Sequence, residues 1–140
     1  MSEERDYELW TDLVALHGRV EQRLAAVLLR QHSLGLSEYR ALCHLAKSAD
    51  GELRMQELAE LTGLNQSSVT RLVHRLEKAG LARRTHCAQD RRGVYTEITP
   101  DGRELQARAL PVYSEELSLA LDESAAAGPL AATVVRLRAE

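Results

Sequence analysis

Apolar residues return every three or four positions over most of this chain, a period that predicts helices. Asp6 to His32 reads as one long helix with a stripe of Leu9, Leu13, Leu16, Val20, Leu24, Val27 and Leu28. A second helix, Ser37 to Lys47, is expected to start on Ser37 as its cap and carries Tyr39, Leu42, Cys43, Leu45 and Ala46. After an Asp50-Gly51 turn, Glu52 to Arg54 can pair briefly as a strand. Met55, Leu58, Ala59 and Thr62 then take helical spacing with Leu61 flanking, and Gly63 stops that helix in the left-handed conformation. Asn65 is placed to cap the next helix, whose Val69, Leu72, Val73 and Leu76 fall at i, i+3, i+4 and i+7 before Gly80 ends it.

The period then changes. Ala82 to His86 alternates imperfectly, while Val94, Thr96 and Ile98 alternate cleanly with Tyr95 and Glu97, so both runs suit strands of a hairpin. Cys87 to Gly93 forms its tip and carries Asp90, Arg91 and Arg92. Thr99 caps a further helix with Pro100 at its first position, where a missing N–H costs nothing. That helix should run to about Leu121 with Leu105, Ala109, Val112, Leu117 and Leu121 apolar, bent or loosened at Pro111. Gly128-Pro129 breaks the chain before a short last helix with Leu130, Val134 and Leu137. The fold class is mainly α with a small β-hairpin (α+β).

Once the packed face of the helix after Asn65 is set aside, a polar face remains: Gln66, Ser67, Ser68, Thr70, Arg71, and a turn later His74, Arg75 and Lys78. Short polar side chains at a helix start let the backbone approach base edges and phosphates, and an arginine can reach a guanine edge or a phosphate. By itself such a face is better read as a solvated surface. Charge distribution changes that balance. Residues 1–53 carry net −3, residues 54–92 net +4 and residues 93–140 net −4, so a mildly acidic chain has a basic centre. A basic footprint between acidic flanks fits a nucleic-acid contact confined to one segment.

Two runs then carry a resemblance. Asp90-Arg91-Arg92-Gly93-Val94-Tyr95-Thr96-Glu97-Ile98-Thr99, with Gly102 after it, and SSVTRLVHRLEKAGLARR over 67–84 resemble the wing and recognition-helix signatures of the MarR family (multiple antibiotic resistance regulators). The resemblance implies a winged helix-turn-helix flanked by N- and C-terminal dimerisation helices. It makes 1–140 a single MarR-like domain, with 34–99 the DNA-binding part and 5–33 and 100–140 the dimerisation part. It also implies that Arg92 approaches DNA with Asp90 orienting it, and that Ser67, Ser68, Thr70 and Arg71 meet bases and phosphates. With Asn65, Gln66, His74, Arg75 and Arg91 these form the expected DNA-binding set, and double-stranded DNA is the expected partner. The implied activity is transcriptional regulation, most commonly repression at a pseudo-palindromic operator, released by a small aromatic or anionic effector. Trp10, His17, Tyr39 and His44 are the polar-aromatic candidates for that ligand, although each reads more readily as a packing or solvated residue.

The apolar stripes of the flanking helices exceed what one small winged module can cover, so a homodimer is expected. Two cysteines far apart make no disulfide framework, and the reduced cytoplasm is the expected location. Cys43 lies on an apolar helix face, while Cys87 stands beside His86 and four arginines that would favour a thiolate, leaving a redox-responsive regulator as one alternative. A winged-helix protein-interaction module without DNA binding is the other. No metal-ligand spacing, phosphate loop or nucleophile motif occurs, so no enzyme, metal or cofactor is expected, and no apolar run is long enough for a membrane.

Overall fold

The computed structural model describes residues 1–86 and 93–140. In chain order it holds α1 (Ser2–His32), α2 (Leu36–Lys47), a 3-10 turn at Ala49–Gly51, β1 (Glu52–Arg54), α3 (Met55–Thr62), α4 (Gln66–Lys78), β2 (Ala82–His86), β3 (Val94–Ile98), α5 (Pro100–Ala126) and α6 (Ala131–Ala139). The chain divides into two compact units, residues 32–110 and residues 1–31 with 111–140. Among the described residues no helix is long and apolar enough to cross a membrane.

The 32–110 unit is a three-helix cluster against a small antiparallel sheet of order β1-β3-β2. The expected hairpin thus gains a third strand, since Arg54 stands opposite Tyr95 on one side of β3 while Thr85 stands opposite it on the other. Asp50 and Gly51 take positive φ, 59° and 70°, to turn the chain into β1. The core joins Tyr39, Leu42 and Leu45 of α2, Leu58 of α3 and Val69, Leu72, Val73 and Leu76 of α4 to Ala82 and Ile98 of the sheet. Burying a side chain of this size is worth about 1.5–3 kcal/mol, so this cluster fixes the α3–α4 geometry. One polar residue joins it: Thr96 is fully buried and its hydroxyl donates to Met55 Sδ at 2.9 Å.

Helix ends follow side-chain chemistry. Gly63 closes α3 at φ 72°. Asn65 caps α4, its Oδ1 accepting the Ser68 N–H at 2.9 Å. At the other end Leu81 N–H donates to Leu76 O at 2.9 Å and Gly80 N–H to Glu77 O at 3.0 Å, the paired bonds of a left-handed glycine stop. Thr99 Oγ1 accepts from Gly102 N–H at 3.0 Å and starts α5.

Two expectations need correction. α2 is capped by Gly35, not Ser37: the Tyr39 N–H bonds Gly35 O at 2.9 Å, so Leu36 is already the first helical residue. α5 runs without interruption through Pro111 to Ala126, beyond Leu121. As the excess of apolar surface implied, the stripe of α1 is buried at Leu24, Val27 and Leu28 but left exposed at Leu9 and Leu13.

In the other unit, Arg23 binds Glu116 at 2.9 Å and Glu123 at 2.7 Å, and Arg138 binds Asp122 at 2.8 Å. The Glu116 hydrogen bond leads in raising the Arg23 pKa further above its ordinary value.

Candidate nucleic-acid interface

α4 presents the polar face that its periodicity left over. Gln66, Ser67, Thr70, Arg71, His74 and Arg75 are exposed and Ser68 is half-buried. The first turn is ordered by one residue, because Asn65 Oδ1 takes the Ser67 hydroxyl at 2.9 Å as well as the Ser68 N–H. Asn65 therefore acts first as a cap. Thr70 spends its hydroxyl proton on Gln66 O at 2.9 Å, which leaves its methyl and a lone pair for any ligand. A threonine methyl suits the C5-methyl of thymine, and a glutamine at the helix start suits adenine.

The arginines differ in what already holds them. Arg71 bonds the Ser68 hydroxyl at 3.3 Å, a weak contact that leaves it free to reach outward. Arg75 is held on Glu38 of α2 at 2.6 Å. Arg84 is held on Glu77 at 2.6 Å, and Arg83 on Glu97, its partner directly across the strands. The basic centre is thus partly neutralised, and Glu38 and Glu97 lie outside the segment whose charge was counted. Exposed pairs of this kind are worth at most about 1 kcal/mol, so a phosphate can compete for each arginine.

Two hollows adjoin α4. One of about 390 Å³ is lined by Thr70, Arg71, His74, Arg75 and Arg84. The other, about 370 Å³, is lined by Arg54, Gln56, Gln66, Thr70 and Arg84 with the Gly93-Val94 strand start. Arg54 and Arg84 were absent from the expected set. Arg84 was recoverable, because it shares the β2 face of Ala82, which packs inward. Arg54 was not: the β1–β3 register sets it beside Tyr95, whose hydroxyl accepts from its Nε at 3.0 Å.

Asp90, Arg91, Arg92 and Cys87 lie outside the described residues. The four ligand candidates divide between the units. Trp10 and His17 are exposed on α1, with His17 3.8 Å from Glu21, while Tyr39 is a core residue of the winged unit. His44 is half-buried, and burial first and Lys47 second push its pKa down.

Comparison with known proteins places this geometry. The MarR family model matches residues 32–93, the stretch that holds α2, β1, α3, α4 and β2. Over that stretch the chain resembles the MarR family. A MarR family transcriptional regulator from Streptomyces coelicolor, solved in complex with DNA, is similar over 100% of this chain and 88% of its own, at 28% identity and a TM-score of 0.80. The HTH-type transcriptional regulator YfiV of Bacillus subtilis is 36% identical over 55 residues, 39% of this chain and 34% of its own length. The HTH-type transcriptional repressor YetL of the same organism is 28% identical over 90 residues, 63% of this chain and 54% of its own. The matches to these two curated relatives therefore span a third to about half of their lengths. The structure has the winged helix-turn-helix fold of the solved relative, with α4 as the second helix of the helix-turn-helix.

Proposed function

We propose that this protein is a homodimeric, sequence-specific DNA-binding transcriptional regulator of the cytoplasm, acting as a repressor at a pseudo-palindromic operator. The observation that carries the reading is the start of α4: a capped helix N-terminus whose exposed Gln66, Ser67, Thr70 and Arg71 stand together beside Arg84 and Arg54. Side chains near the N-terminus of a recognition helix meet base edges in the major groove, and flanking arginines take phosphates. The DNA complex of the Streptomyces relative and the repressor name of YetL support the same reading. In it, residues 32–110 read DNA, and residues 1–31 with 111–140 bring two copies together.

A dimer has support in exposure. Tyr7, Leu9, Trp10, Leu13 and Val14 of α1 and Val135 and Leu137 of α6 are all exposed in the single chain. Apolar patches left open on this scale mark interaction surfaces. Two-fold symmetry then sets half-sites about one helical turn (~34 Å) apart. Release by a small aromatic or anionic effector is the remaining part of the proposal.

The test is selection of bound duplexes from a random pool at near-physiological salt. Enrichment of one pseudo-palindrome is the expected result. Salt-sensitive background binding alone would refute the sequence-specific reading.

A further inference from the structure

Arg75 is the one α4 side chain shared by the outer hollow and a second cavity of about 360 Å³ behind it, lined by His32, Leu34, Glu38, Leu76, Leu81 and Leu105 among others. It stands at the border of both. Its side chain is half exposed, yet its Nε is committed to Glu38 at 2.6 Å.

Glu38 is the fixed member of this pair. Its side chain is only 18% exposed. It occupies the first turn of α2, where the helix dipole favours negative charge. The carboxylate also folds back over the helix start, so closely that a Cβ on Gly35 would collide with its Oε2. Gly35 itself has φ −71° and ψ 151°, a conformation open to any residue. A side chain there would therefore displace the carboxylate and leave the backbone undisturbed. Arg75, at 53% exposure, is the more exposed partner of the pair.

We infer that Glu38 is a positioning residue that holds Arg75 off the DNA, so that the α2–α4 ion pair sets operator affinity below what the recognition helix could reach. The inference rests on the DNA-binding reading above. A phosphate contact by Arg75 must break the pair and leave the carboxylate facing the polyanion. Counterion release makes the cost visible: each phosphate neutralised contributes about −0.9 to the slope of log K against log salt. An arginine that exchanges one anion for another contributes little to that slope, whereas an arginine freed of its carboxylate contributes fully.

The measurement is binding of the full chain, against salt concentration, to the duplex recovered by the selection, for wild type, Glu38→Gln, Gly35→Ala, Arg75→Ala and Glu38→Gln with Arg75→Ala, each checked for folding by thermal melting. Glu38→Gln should bind roughly two- to five-fold tighter, the factor expected for releasing an exposed ion pair, with a salt slope steeper by up to about 0.9. Gly35→Ala displaces the carboxylate without changing net charge and should tighten binding in the same direction. In the Arg75→Ala background the Glu38→Gln gain should vanish. A gain that persists there would mean general charge repulsion and would overturn the inference. Unchanged or weaker binding in folded Glu38→Gln and Gly35→Ala, with wild type still bound, would overturn it while the DNA-binding reading stands. A wild type that binds no duplex would overturn both.

Discussion

At the scale of single residues, neighbours decide what a side chain can offer. Asn65 is at once a good cap and a plausible base reader, but its Oδ1 already accepts two bonds, from Ser67 and Ser68. Arg71 is the most available arginine of α4, so its truncation is the informative one. Arg71→Ala should cost about 1–3 kcal/mol in operator binding if it reads a guanine, and relax selectivity at one base position. An equal loss on every duplex would mark a phosphate contact; competition with single-base variants of the operator separates the two. His44 gives a stability prediction that needs no DNA. Burial and Lys47 hold its folded pKa below the usual 6.5, so the unfolded chain takes up the proton first. The sign follows: unaffected well above about pH 6.5, stability falls as pH drops through that value and levels off once the folded pKa is passed. Melting from pH 7.5 to 5 should show this fall, and His44→Gln should reduce it; an unchanged profile would exclude His44 as its source.

At the scale of elements, the sequence carried its signals where bonding is local. α3 and α4 were legible because Leu58 with Ala59, and Val69, Leu72, Val73 and Leu76, repeat a helical face between Gly63, Asn65 and Gly80, each of which acts within five residues. Ser37 misled for a related reason. A good capping residue does not decide a helix start when the preceding glycine can place its carbonyl one residue earlier. The carboxylate partners of the α4 and β2 arginines were hidden because they are long-range: Glu38 lies 37 positions from Arg75. Gly102 shows the same limit. Its position near the start of α5 could be read as a family mark, but not its cause, which is the carbonyl of Leu81 pressed against it. That carbonyl also accepts from Thr99 N–H at 3.0 Å, so it cannot move without loosening the joint between sheet and helix. Gly102→Ala should therefore destabilise the winged unit by about 1–3 kcal/mol, read as a lower melting temperature. A melting temperature equal to wild type would show that the joint relaxes freely.

At the scale of the whole molecule, the winged unit buries the apolar faces of its own helices, but much of α1 does not. Tyr7, Trp10 and Val14 fall at i, i+3 and i+7 and are 74%, 68% and 53% exposed. Leu9 and Leu13, of the stripe that periodicity found, are exposed as well: period identifies an apolar face without saying which chain covers it. A second copy of the same helices is the partner that symmetry supplies most simply. The protein should then sediment at twice the 15.6 kDa of one chain. Val14→Glu places a charge in that face, where desolvating it without a partner costs several kcal/mol, and should shift the protein toward monomer. The change lies in the unit that does not carry α4, so a monomer should keep the melting of the 32–110 unit and its weak, salt-sensitive contact with any duplex. Operator affinity should fall steeply, since one half-site replaces two held at a fixed spacing. Sedimentation and operator titration of the same samples decide the matter: a Val14→Glu protein that remains a dimer would remove α1 from the assembly, and a monomer that binds the full operator as tightly as wild type would show that operator affinity does not rest on the dimer.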